Sequence, residues 1–123
     1  MLGKRFALAI ASVAFAAFIA TPLPSIVSAQ DMRNFDIVNQ TSARIDAVYV
    51  SPTTSSTWGS NILTEQVPPG QTLQVRFDPS VNTGVCVYDL YVSYTDGDSD
   101  PVTGLNICQI LRVVVTDTQI TWE

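Results

Sequence analysis

The side chains able to carry chemistry here are eleven carboxylates, two cysteines and a few aromatic residues. Asp96, Asp98 and Asp100 alternate within "TDGDSDP" (95–101), as oxygen ligands do in the first half of a calcium-binding EF-hand loop. That pattern then needs glycine at its sixth position and glutamate at its twelfth. This chain has Pro101 and Ile107 there, and no helical pattern flanks the stretch. A solvated hairpin turn about Asp96-Gly97 fits better, with the three aspartates kept as weak candidate metal ligands. Cys86 and Cys108 lack the C-x-x-C spacing of a redox pair. An even cysteine count behind an export signal predicts one structural disulfide between them. Closing a loop of about 22 residues would contribute roughly 3 kcal/mol.

The aromatic candidates lie around "YVSPTTSSTWGSNIL" (49–63). One expectation is a binding surface formed by Tyr49, Ser51, Pro52, Trp58 and Asn61. The other, favoured for a small domain, is that Trp58 folds back over the open end of a sandwich as a plug, burying about 200 Å². Gly59 permits the bend, and Asn61 can bond backbone groups in the turn.

Absences narrow the chemistry further. The chain contains no histidine, so it has no imidazole base, no Ser-His-Asp triad and no imidazole metal ligand. Its one lysine, Lys4, precedes the expected cleavage site, which removes Schiff-base chemistry from the processed chain. It has no phosphate-cradling glycine loop, and no cofactor is expected. A pair of carboxylates about 5–10 Å apart remains as the route to an enzyme. Asn39-Gln40-Thr41 matches the glycosylation sequon and is read as a coincidence of a short motif.

These residues must be positioned by strands. "FDIVNQ" (35–40) places Phe35 and Ile37 on one side. "ARIDAVYV" (43–50) alternates with Ile45, Ala47 and Tyr49 together. "ILTEQV" (62–67) reads as a weak strand, and "PPG" (68–70) as a turn. "QTLQVRF" (71–77) alternates with Leu73, Val75 and Phe77 inward. "VCVYDLYVSY" (85–94) puts Cys86, Tyr88, Leu90, Val92 and Tyr94 on one face and Val85, Val87 and Tyr91 on the other, as a central strand would. "LNICQILRVVVTD" (105–117) reads as one long strand, which "QITWE" (119–123) extends or flanks. No stretch has a helical period. The expected fold is all-β, a single-domain antiparallel β-sandwich of about seven strands, with a small β-barrel as the alternative.

The first 29 residues have the three-part layout of a secretory signal: Lys4 and Arg5, an apolar run over 6–20, then Val27 and Ala29 at a cleavage site. The run is shorter than the roughly 20 residues a bilayer span needs, so no membrane span is expected after cleavage. The domain proper is then 30–123, exported to the periplasm or the extracellular space. It keeps four arginines against eleven acids, a net charge of −7, which disfavours nucleic acid and anionic lipid as partners.

Several segments together resemble a family of small, uncharacterised bacterial exported proteins. They are Asn39 and Thr41, Tyr49 to Pro52, Trp58, Gly59, Asn61 and Leu63, then the Pro68 and Gly70 turn, and the late Cys86, Tyr88, Asp89, Leu90 and Cys108. The resemblance implies a secreted or periplasmic β-rich domain and supplies no catalytic residues. The functional expectation is a non-enzymatic binding or interaction domain for a protein, small-molecule or glycan ligand. The alternatives are a carboxylate-dependent hydrolase of an envelope glycan, and a structural accessory subunit that lends an edge strand.

Overall fold

Period-two alternation along the chain becomes seven strands: β1 (Phe35–Gln40), β2 (Ile45–Pro52), β3 (Thr72–Val75), β4 (Val87–Tyr94), β5 (Ser99–Asn106), β6 (Arg112–Thr116) and β7 (Ile120–Trp122). They come from a computed structural model that describes residues 31–123. The signal segment and its cleavage site lie outside the described residues. The strands form two open sheets, ordered β3-β1-β6-β7 and β2-β4-β5. Neither closes on itself, and the fold is a β-sandwich rather than a barrel.

Both sheets turn apolar side chains inward. Phe35, Ile37, Val75, Val113 and Val115 come from the four-stranded sheet, and Ile45, Val48, Leu90, Val92, Val102 and Leu105 from the three-stranded sheet. Val67, Ile107 and Ile110 fill in from the connections. At about 25 cal/mol per Å² of apolar surface removed from water, this burial holds the layers together.

Four details depart from the sequence expectations. The pair β1–β6 is parallel, with Ile37 beside Val113 and Asn39 beside Val115. These strands come from opposite ends of the domain, and no hairpin forces them antiparallel. The 105–117 stretch is not one strand. It breaks at a short 3-10 turn (Ile107–Gln109), capped by the Asn106 side chain on the Cys108 N–H, and there the chain crosses between sheets. Strand β5 begins inside the expected turn, at Ser99; Pro101 is tolerated because β5 is an edge strand. Finally, 62–67 forms no strand and makes a single bridge, Ile45 with Val67.

The disulfide Cys86–Cys108, with Cα atoms 5.4 Å apart, joins the start of β4 to the turn after β5. It therefore ties neighbours within one sheet, so Cys86 lies just before its strand rather than on the inner face of it.

Two buried polar clusters anchor the ends. The Asn39 side chain, fully buried, donates to the carbonyls of Ala43 and Val67 and accepts from the Thr41 N–H and hydroxyl. Its burial leaves no room for a glycan, and the sequon residues serve as a structural knot. At the other cluster the Arg33 guanidinium is 4.9 Å above the Phe77 ring. It donates to both Asp31 carboxylate oxygens, to the Tyr88 hydroxyl and to the carbonyls of Asp78 and Asn82. All five of its N–H donors are thereby used. The bonds from Arg33 pull the Asp31 carboxyl down to about 2.

Candidate functional site

The candidate site is built by two β-bulges. In β2 the register against β4 slips between Ile45 and Ala47, so Asp46 is an extra residue. Ile45 and Val48 then face the core, while Ala47 and Tyr49 face outward. The expected grouping of Ile45 with Ala47 and Tyr49 is corrected by this one insertion, because every later side chain changes face. In β5, Thr103 and Gly104 together oppose Asp89 of β4. Gly104 has φ +69°, a conformation that side chains other than glycine adopt at a cost. Its N–H donates to Asp89 Oδ1 at 2.9 Å.

Between the bulges lies an aromatic row on the outer face of the three-stranded sheet. Tyr49 is paired with Tyr91, and Tyr91 with Pro101. The rings of Tyr49 and Tyr91 are 6.0 Å apart and tilted by 42°. Trp58 reaches the same place from the 53–66 connection, its ring 5.6 Å from Tyr91 and tilted by 58°. Both spacings fall in the range of favourable aromatic pairs. Trp58 therefore lies on the outside of a sheet, and the expected plug over the open end is not what the loop forms. All three rings are partly exposed.

The Ser/Thr tract explains how a loop without a strand ladder holds a tryptophan in place. The Ser51 hydroxyl donates to the Trp58 carbonyl, and Ser55 Oγ donates to the Thr57 carbonyl while accepting the Thr57 N–H. The Thr53 hydroxyl donates to Asp89 Oδ1 at 2.8 Å. Asn61 then fastens the loop along the open edge of β2. Its Oδ1 accepts the N–H groups of Val48 and Leu63, and the Ile62 N–H donates to the Val48 carbonyl. These bonds satisfy backbone groups that an uncovered edge strand would offer to another chain.

The five sequence candidates thus take different places. Tyr49 and Trp58 meet at Tyr91. Ser51 is buried beneath the loop as its tether, Asn61 covers an edge, and Pro52 closes a turn by accepting the Ser55 N–H. Tyr91, the centre of the row, was read from the sequence only as an apolar outer-face residue. Its signal was in the alternation of "YDLYVSY": Tyr88 and Tyr94 point inward, so the tyrosine between them points out.

Carboxylates stand on both sides of the row. Asp46 accepts the Ser93 hydroxyl at 2.7 Å, beyond Tyr91 in one direction along β4. Asp89 stands in the other direction and lines a recess of about 140 Å³ with Ser51, Ser55, Ser56, Thr57 and Trp58. Both bonds received by Asp89 fall on Oδ1, so Oδ2 is the oxygen open to a ligand.

The three aspartates of the 95–101 segment do separate jobs. Asp96 accepts the Asp98 N–H and shapes the turn. Asp100 accepts the Tyr94 hydroxyl at 2.7 Å. Burial and this carboxylate raise the Tyr94 pKa well above the usual phenol range. Among the described residues no three acids, cysteines or histidines are placed to hold a metal ion. Asp96, Asp98, Asp100 and Asp117 line a recess of about 130 Å³. No described helix is long and apolar enough to cross a membrane.

No family model matches the chain, and no curated protein matches it. Among solved structures it is similar to an NMR structure of a protein from Eubacterium rectale. That protein is 15% identical, with a TM-score of 0.49, over 78% of this chain and 93% of the other.

Proposed function

We propose that this chain is an exported, non-enzymatic binding domain of the small bacterial exported type, and that it meets its ligand on the outer face of the three-stranded sheet. One observation carries the reading. Tyr49, Tyr91 and Trp58, from two strands and a loop, are gathered on one solvent-facing surface between two carboxylates placed by bulges. Aromatic rings left part-exposed on a sheet give up burial in the core, and clustered rings with polar neighbours are what recognition surfaces use. The disulfide is compatible with export, because such bonds persist in oxidising compartments. The hydrolase alternative gains little support: the acidic recess at 95–101 is small against the roughly 300–1,000 Å³ of ordinary ligand pockets. Lending an edge strand gains no more, since the 61–67 segment covers part of β2, Pro101 removes a donor from β5, and β3 and β7 have only four and three residues.

The test is retention of envelope components by the immobilised processed protein and by its Tyr91→Ala variant. A species held by the first and released by the second supports the reading. Equal retention by both, with the variant folded, overturns it.

A further inference from the structure

We propose that the aromatic face takes an arginine side chain from an extended, basic segment of a partner protein. The inference rests on the binding face proposed above and adds the ligand's chemistry. Charge complementarity carries it. No arginine or lysine lies between residues 45 and 75 or between 77 and 111. Strands β2, β4 and β5 and their turn therefore hold Asp46, Asp89, Asp96, Asp98 and Asp100 without a cation of their own. Among the described residues, Asp46 and Asp89 accept only hydroxyl and amide donors. On the opposite sheet the carboxylates Asp36 and Glu123 have Arg76 and Arg112.

The molecule also contains an arginine site of the kind proposed. Arg33 lies over an aromatic ring, grips an aspartate with two nitrogens and reaches a tyrosine hydroxyl. The outer face offers the same three partners, with no guanidinium of the described residues among them. Asp89 and Tyr91 are two residues apart on one strand face, a separation of about 7 Å. A planar guanidinium resting on Tyr91 can reach the open Oδ2 of Asp89 across that distance. Lysine, a point charge without a plane, matches the arrangement less well. The face is open rather than a closed cage, which suits a side chain carried on an extended backbone.

The experiment titrates the exported protein, carrying Trp122→Phe so that Trp58 is the fluorophore. The probe is a capped Gly-Arg-Gly-Arg-Gly peptide, and its lysine counterpart and a neutral oligosaccharide are parallel arms. The arginine peptide should shift Trp58 emission and bind more tightly than the lysine peptide. Asp89→Asn, which keeps an oxygen for Thr53 and Gly104, should weaken it about tenfold, and Tyr91→Leu by a similar factor. Raising salt should weaken it further. Response to the oligosaccharide with none to arginine would overturn the cation assignment and leave the face standing. Equal binding by both folded variants, or no response to any probe, would also overturn it.

Discussion

The two sheets share one core and turn different faces to solvent. Across the outside of β3-β1-β6-β7 the register aligns Thr72 with Val38, Val38 with Val114, and Val114 with Thr121. Its charges are balanced, Asp36 with Arg76 and Arg112 with Glu123. Across the outside of β2-β4-β5 run Tyr49, Tyr91 and Pro101, with carboxylates on either side and no arginine. The bulges also fall on this sheet, at Asp46 and at Thr103-Gly104. The inner faces are alike, apolar side chains meeting across one core with Asn39, Tyr88 and Tyr94 satisfied by hydrogen bonds at its margins. The outer faces differ in the ways that recognition would require: clustered rings, unbalanced charge, and backbone irregularity that aims side chains.

Both faces share one frame, and damage to it should have the largest effect. Asn39→Ala would leave the buried Thr41 N–H without its acceptor and take one of two donors from the carbonyls of Ala43 and Val67, which keep the Thr41 hydroxyl and the Ile45 N–H. It should cost about 3 kcal/mol in urea unfolding, from one orphaned buried N–H and two lost bonds to carbonyls. A loss below about 1 kcal/mol would show that the knot is not structural. Reducing Cys86–Cys108 should lower stability by about 3 kcal/mol, and an unchanged melting temperature in reductant would contradict that. Gly104→Ala sharpens the contrast on one face alone. A side chain there meets open space, so its cost of about 1 kcal/mol is conformational, and it should loosen Asp89. Arg76→Ala, on the balanced face, removes an exposed pair and should change stability by less than about 1 kcal/mol. A larger loss would mean that the two outer faces are not so different in energetic weight.

Much of this frame was legible in the sequence. Alternation in "FDIVNQ" and "VYDLYVSY" places Phe35, Ile37, Tyr88, Leu90, Val92 and Tyr94 inward, as the structure has them. Sandwich class and cysteine pairing followed from short strands and an even cysteine count. The site was legible only in outline. Tyr49 and Trp58 stood out by type, but the bulge at Asp46 that turns Tyr49 outward leaves no mark in a two-residue period. The meeting of Trp58 with Tyr91 joins a loop to a strand 33 positions later, which no local pattern encodes. Arg33 and Asn39 gave no sign of burial, because the groups that close over them, Asp78, Asn82 and Tyr88 for Arg33 and Val67 for Asn39, come from distant segments.

The most direct measurement is amide chemical-shift mapping of the protein with the species that it retains from envelope extract. Shifts concentrated at 47–51, 56–60 and 89–93, with 36–40 and 112–116 unmoved, are the expected result. Shifts concentrated on 36–40 and 112–116 would contradict the assignment of binding to the three-stranded sheet.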